Sequence, residues 1–537
     1  MIKKYSHYIT PLLYLFGIFG TFILYLATKP SIPYSLDSIN YIKLAEAIQQ
    51  GRWYIHIRED YMTTFPPFYS MLISLFEKIF NDFEIAGMFI SITAGSLVIG
   101  PIIFLAKRFY GIGTAYLTII FLILNPIYIL YSSAILTESL FTFLFISSIC
   151  VMSMAISKIN LLMWLAVGII SGAATQTKDV GIIIIAVSFF YLIFHLANEK
   201  YALQKFIFSA TMLIGGFLSV YMPIEILSHL DKENYLNMQQ NKVNILRQLS
   251  LPDQRDLTSR DIIRRELSYD GKNYKKIDYY NNKNINWQWL IKKMLINTIE
   301  SIKYISLTFF YIFSIFVFIG FLAKKSDNRE YDHGLFDSQK KFSSFLLLII
   351  FFYILFYVIA GSFTGAQRPE RYLVPIIPTL MLFCVIGIRW CKKKINKLVS
   401  KKTGLLTIIS LIISFLMANV IALNYIANHR LLDEEANISI KGLAMIGIFN
   451  DKVNEPKKIM SKNVFLAYYA NALPILTPYG EYGEIIKFAK SKKVDFFFLE
   501  KSLYAPQLEF LKNSKDSTEE LKFILSTTQG NLYKVIY

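Results

Sequence analysis

The feature that most constrains this chain is a series of apolar runs of about 20 residues, the length at which a helix crosses a bilayer. Eleven of them lie near residues 8–28, 86–106, 114–132, 138–157, 160–177, 180–197, 206–225, 301–323, 343–362, 372–391 and 404–425. With 54% of all residues hydrophobic, the sequence predicts an α-helical polytopic membrane protein of eleven spans. Lys3 and Lys4 precede the first run, which is too long for a signal-peptide core and reads as a retained span with its N-terminus inside.

A formal charge of +18 raises the question of nucleic acid, but its placement answers otherwise. Lys107 and Arg108, Lys158, Lys200 and Lys205, Lys324 with Lys325, Lys340 and Lys341, and the run from Lys392 to Lys402 occupy alternate loops. All fall on one side, as the positive-inside rule requires, so the basicity sets topology and no nucleic-acid partner is expected. Cys150, Cys384 and Cys391 lie in or at the ends of predicted spans, which argues against disulfides and cysteine-rich metal sites.

The segment FPPFYSMLISLFEKIF, residues 65–80, is apolar but short. Counting it as a span would put the lysine clusters on both sides, so it reads as an interfacial helix on the outer surface, with Pro66 and Pro67 in its first turn. Two parts are then expected: a transmembrane domain over residues 1–427 and a soluble outer α/β domain over residues 428–537. The first contains an outer loop at 29–85 with interfacial helices and a larger one at 226–300. The second alternates short apolar runs (KKIMS, LPILTP, VDFFFLEK, KFILSTT, NLYKVIY) with helical stretches and ends in a hairpin at Gln529 and Gly530. It carries no Gly-rich phosphate loop, zinc spacing or nucleophile elbow.

A charge inside hydrocarbon costs several kcal/mol, so ionisable groups near span ends are the informative ones. The spans are nearly free of charge in their middles, which weakens an ion-coupled transporter. Asp37 opens an amphipathic helix within YSLDSINYIKLAEAIQQGRWY, whose apolar face is Leu36, Ile39, Ile42, Ala45 and Ile48, with Asp37, Asn40, Tyr41 and Leu44 beside it. Either Ser35 or Asp37 caps this helix, or Asp37 is a general base. Glu138 opens the span after YSSAILT, either serving the helix dipole or forming a second acid on the same side. Lys178 follows the small-residue stretch SGAATQT, either snorkelling or binding an anion. Arg368 and Arg371 in AQRPERYL lie on the side where short loops tend to lack basic residues, and a phosphate is their simplest partner. Together these groups suit transfer from a lipid phosphate: tail in the bilayer, phosphate on the cations, and a carboxylate activating the incoming hydroxyl.

In order and membrane placement, LDSINYIKLAEAI, FPPFYSMLISLF, NPIYILYSSAILTESLFTFLF, GIISGAATQTKDVGIIII and RPERYLVPIIPTLMLF resemble the polyprenyl-phosphate-sugar-dependent glycosyltransferases of the GT-C fold. The likeness is to bacterial relatives of the dolichyl-phosphate-mannose protein mannosyltransferases, including the lipid A aminoarabinose transferase. It implies inverting transfer of a sugar from an undecaprenyl- or dolichyl-phosphate donor to a hydroxyl of an acceptor lipid, glycan or protein. The protein is then expected in the inner or plasma membrane with its C-terminal domain on the non-cytoplasmic side. By position, Asp37 matches the first-loop catalytic acid, Glu138 the second acid, and Lys178 the lysine expected on the donor phosphate. Arg371, with Arg368 near it, matches the phosphate end of the site, and Tyr41 and Tyr372 are expected to touch substrate. Two departures stand out: Ser38 follows Asp37 where many relatives have two acids, and YSSAILTE lacks the arginine that often precedes this pattern. A monophosphate donor requires no metal, although Asp37 and Glu138 holding a divalent cation is the alternative. Two other functions remain open: a lipid-linked glycan transporter, and an O-antigen ligase or polymerase using a pyrophosphate-linked donor. Arg247, Arg255, Arg260, Arg264 and Arg265 in the large outer loop favour the latter.

Overall fold

Each of the eleven apolar runs carries helix in the computed structural model. The structure describes residues 2–30, 35–53, 55–58, 61–63, 65–158, 160–196, 202–230, 287–323, 333–364, 369–398, 401–445, 456–461, 465–478, 482–500, 508, 511, 517–527 and 529–537. The arginines from Arg247 to Arg265, which the sequence reading assigns to an outer loop, lie outside these residues, as does Arg368.

The chain begins with α1 (Ile2–Ala27), α2 (Leu36–Gln49), the hairpin β1 (Ile55–Arg58) and β2 (Tyr61–Thr63), and α3 (Phe68–Phe80). Next come α4 (Phe83–Leu97), α5 (Ile99–Tyr110), α6 (Ile112–Ile123), α7 (Pro126–Ser132), α8 (Thr137–Lys158), α9 (Leu161–Thr177), α10 (Ile182–Leu196) and α11 (Ala202–Leu230). After the large loop follow α12 (Trp287–Thr308), α13 (Ser314–Leu322), α14 (His333–Thr364), α15 (Pro369–Leu373), α16 (Ile377–Leu398) and α17 (Lys401–Met445).

Among the described residues, six helices are long and apolar enough to cross a membrane, or seven if α6 and α7, bent by 67°, count as one span. The chain is an integral membrane protein. The difference from eleven lies in short or broken segments. Gly17–Ala27, Leu161–Thr177 and Asp179–Ile193 are apolar but shorter, and the run at 301–323 is interrupted between α12 and α13, where Phe310 and Tyr311 take positive φ. The break between α6 and α7 has a local cause. Asn125 Oδ1 accepts from the Tyr128 N–H at 2.9 Å, capping α7, and Pro126 suits the first helical position. Asn125 Nδ2 donates to the Thr308 carbonyl at 3.4 Å, so the two helix breaks meet.

Small residues let α9 and α11 touch along their backbones. A Cβ on Gly168 would fall 2.1 Å from the Leu213 carbonyl oxygen, and one on Gly216 would fall 2.3 Å from that of Leu165. This packing holds α9, which ends just before Lys178.

Helix α2 departs from the one-sided amphipathic pattern of its sequence. Ile39, Ile42 and Ala45 are buried, but so are Asn40, Tyr41 and Leu44 on the neighbouring face. The reason is that α2 packs against α3 and α4 on one side while Ile39 enters a cluster with C-terminal residues on the other.

Those residues belong to a mixed sheet of five strands: β3 (Lys458–Ser461), β4 (Leu473–Leu476), β5 (Phe496–Glu500), β6 (Leu521–Ser526) and β7 (Gly530–Val535). Their order is β4-β3-β5-β7-β6, with β3 parallel to both neighbours and β7 antiparallel to both of its own. Helices α18 (Phe465–Tyr469) and α19 (Tyr482–Ser491) make the parallel connections. Ile459, Phe496, Phe498 and Leu532 pack on α18 and on the end of α17, whereas Met460, Phe497, Leu499 and Tyr533 pack on α19, so alternate residues of the sheet serve two cores.

Candidate active site

Ser35 is the cap of α2. Its hydroxyl accepts from the Ser38 N–H at 3.4 Å, and the Ser38 hydroxyl accepts from the Ser35 N–H at the same distance, a reciprocal capping box. That leaves the Asp37 carboxylate without a capping duty, and it pairs with the guanidinium of Arg371 through Nη1. Nε of the same guanidinium donates to Glu138 Oε1. Lys178 Nζ lies 2.9 Å from that same Glu138 oxygen. Two acids and two cations, brought from α2, the first turn of α8, the end of α9 and α15, therefore form one continuous network.

Each position is held by local structure. Glu138 sits one residue into α8, and Thr142 on the next turn donates its hydroxyl to the Glu138 carbonyl at 2.6 Å. Lys178 terminates α9 in an extended conformation; its N–H donates to the Ala174 carbonyl at 2.9 Å and its own carbonyl accepts from the Gly181 N–H at 2.7 Å. Only glycine fits at 181, because a Cβ there would stand 2.5 Å from the Ala174 carbonyl carbon. Arg371 lies in the short α15, whose continuation through Leu373, Val374 and Ile376 is buried in the bundle.

The two acids differ sharply in access. The Asp37 side chain is 38% exposed, whereas that of Glu138 is 0% exposed and those of Lys178 and Arg371 are each 14%. A carboxylate buried that deeply is tolerable only with paired charge, and Glu138 has two cations on one oxygen. Its Oε2 is buried and has no hydrogen-bond partner among the described residues.

Aromatic residues wall the network. Lys178 Nζ stands 4.5 Å from the centroid of the Tyr372 ring, a cation–π contact. Tyr372 stacks on Tyr357 with centroids 5.2 Å apart, and the Tyr353 hydroxyl donates to the Tyr372 carbonyl at 2.7 Å. Tyr41 is buried edge-on to Phe65 and Tyr69, with its hydroxyl 3.5 Å from Thr137 Oγ1. Burial pushes the Tyr41 phenol up, with Arg371 partly offsetting it, so it stays a neutral hydroxyl.

The structure thus brings together Asp37, Glu138, Lys178, Arg371 and Tyr372, with Tyr41 one residue layer behind. Tyr357 and Tyr353 are additions that the sequence reading did not single out. Near the end of an apolar span they carry only the ordinary signal of an interfacial aromatic belt. As for a metal, no group of three or more His, Cys, Asp or Glu among the described residues comes together to hold one. The unpartnered Glu138 oxygen is a single donor, and the Arg371 guanidinium already lies between the two acids. This donor set does not fit a divalent cation.

Residues 64–224, which include Glu138 and Lys178, match the family of dolichyl-phosphate-mannose-protein mannosyltransferases. No curated protein matches the sequence. Among solved structures, ArnT from Cupriavidus metallidurans bound to undecaprenyl phosphate is similar at a TM-score of 0.57 and 13% identity, over 97% of each chain. The chain has the GT-C fold. A second GT-C structure, the Archaeoglobus fulgidus oligosaccharyltransferase with Zn and sulfate, aligns at a TM-score of 0.52 and 11% identity, over 90% of this chain and 68% of that one.

Proposed function

We propose that the chain is an inverting glycosyltransferase that moves a sugar from a polyprenyl-phosphate donor to an acceptor hydroxyl on the non-cytoplasmic face. The observation that carries this reading is the convergence of Asp37, Glu138, Lys178 and Arg371 on a single charge network between helices of a membrane bundle. The mannosyltransferase match over residues 64–224 and the undecaprenyl phosphate bound by the similar ArnT support it.

The network is formally neutral: two carboxylates balance two cations. A donor phosphodiester brings one negative charge, and its favourable seat is on Lys178 and Arg371, where the prenyl tail stays in lipid. Glu138, buried and shared by both cations, orients them toward that seat. As the phosphate engages Arg371, the ion pair to Asp37 loosens, and the more exposed carboxylate becomes available to a hydroxyl. The acceptor oxygen then attacks the anomeric carbon from the face opposite the phosphate, while its proton passes to Asp37. The anomeric C–O bond breaks with its electron pair staying on the lipid phosphate, where Lys178 and Arg371 stabilise the charge. Fixed cations thus do what a metal would do elsewhere, and the reaction needs no cofactor.

The deciding experiment incubates the purified full-length protein in lipid nanodiscs with labelled polyprenyl-phosphate sugars and candidate lipid, glycan and protein acceptors. Transfer by wild type and its loss in Asp37→Asn are expected. Full activity in Asp37→Asn removes the acid from this role, and transfer confined to pyrophosphate-linked donors replaces the donor class.

A further inference from the structure

Helix α2 carries Asp37 on one side and, two residues later, Ile39 on another. Ile39 is fully buried, and its neighbours there are Ile440, Leu443 and Ala444 at the end of α17, Phe465, Leu466 and Ala467 of α18, and strand residues of the C-terminal sheet. A residue of the first outer loop is thus built into the core of a domain more than 400 positions later in the chain.

Further contacts run along the same seam. Lys441 Nζ lies 3.5 Å from Glu84 Oε2 in the first turn of α4, and the Tyr468 hydroxyl donates to Glu84 Oε1 at 3.5 Å. Lys43 on α2 stands 5.9 Å from the centroid of the Tyr468 ring, and Lys441 stands 5.0 Å from that of Tyr469. The β1 backbone of the same outer loop lies against β4, an edge strand of the sheet. These contacts come from three separate stretches of the N-terminal part, and two of them flank or belong to the helix that holds Asp37.

On the other side of α2, Ser70 on α3 donates its hydroxyl to the Tyr41 carbonyl at 2.9 Å. That hydrogen bond, the one from Gln49 Nε2 to the Ser74 carbonyl at 3.2 Å and the packing of Tyr41 on Phe65 and Tyr69 fix the helix from the bundle side.

We propose that the C-terminal domain is a positioning device for the reaction: it clamps α2 from above through Ile39 and the Glu84–Lys441–Tyr468 contacts, and so holds Asp37 at Arg371. Ile39, Glu84 and Lys441 are positioning residues that touch no reacting atom. The inference rests on the reading of Asp37 as general base.

The test uses full-length protein in nanodiscs and four variants: Ile39→Ala, Glu84→Lys, Lys441→Glu, and the charge-swapped double variant. Amide hydrogen exchange over residues 36–49 is measured without any substrate. It is expected to speed up at least about tenfold in Ile39→Ala and in each single charge reversal, and to return toward wild type in the double swap. Sugar transfer is expected to lose kcat about tenfold in the three single variants with KM for the donor unchanged, and to recover in the double swap. Binding of undecaprenyl phosphate alone is expected to stay at the wild-type level, since Lys178 and Arg371 are untouched. Unchanged exchange over residues 36–49 in all three single variants overturns the clamp. Faster exchange with unchanged kcat overturns its positioning role. A wild-type protein that transfers from no polyprenyl-phosphate donor refutes the proposed reaction instead, and with it the role of the clamp, while the exchange measurement still decides whether the domain holds α2.

Discussion

Two arginines mark the two ends of one span, Arg371–Asn396, and they are met in opposite ways. At one end Arg371 is mostly buried and engages two carboxylates from distant helices. Toward the other end Arg389 is exposed, donating to the Tyr110 carbonyl at 3.1 Å and to the Thr114 hydroxyl, with Lys392, Lys393 and Lys394 following it. The exposed charge needs only a few neutral acceptors. The buried charge is drawn into a desolvated setting where a cation without anionic partners would be costly, and it carries two of them. Basic residues of the same type thus meet acids at one end of the span and neutral groups at the other.

Breaking the network at Arg371 is expected to cost far more than breaking the contacts of Arg389. The largest effect falls on Asp37→Asn, which keeps the size of the side chain and removes the base; initial-rate assays of sugar transfer should show a loss of about 10²–10⁴-fold. Arg371→Gln removes a cation from the leaving phosphate and should lower kcat about 10²–10³-fold in the same assay, with weaker binding of undecaprenyl phosphate by native mass spectrometry. Glu138→Gln leaves Lys178 and Arg371 without their shared buried anion; thermal unfolding in detergent should report a destabilisation of about 3–5 kcal/mol, alongside lost activity. Arg389→Gln should change stability by less than about 1 kcal/mol and leave transfer at the wild-type rate. A chelator such as EDTA is expected to have no effect on turnover, and its abolishing activity would hand the role of Arg371 to a metal. Equal effects at Arg371 and Arg389 would erase the distinction between the two ends.

Much of the architecture is readable along the chain because hydropathy is a local quantity. Apolar runs marked the helices, and each of the five short C-terminal runs carries one strand of the sheet. Less readable were the breaks. That the run at 301–323 turns at Phe310 and Tyr311 has no glycine or proline to announce it, since the left-handed residues there are aromatic. The site was readable in part: the acids and cations stood out as charges at span ends, where hydrocarbon makes them expensive. Tyr357 and Tyr353 did not, because an aromatic near a span end is ordinary.

What the sequence determined by itself was that this chain enters a membrane, which loops are basic, and which ionisable residues sit near the ends of apolar runs. Whether Asp37 caps its helix or does something else was left open, since periodicity places it at a helix start and goes no further. Only the tertiary structure decided that Ser35 takes the cap, that Asp37 meets Arg371 across 334 positions of chain, and that Arg371 meets Glu138 across 233. The physical reason is range: helix patterns are set by neighbours three or four residues away. An ion pair between helices depends on how the whole bundle packs, and no local spacing encodes it.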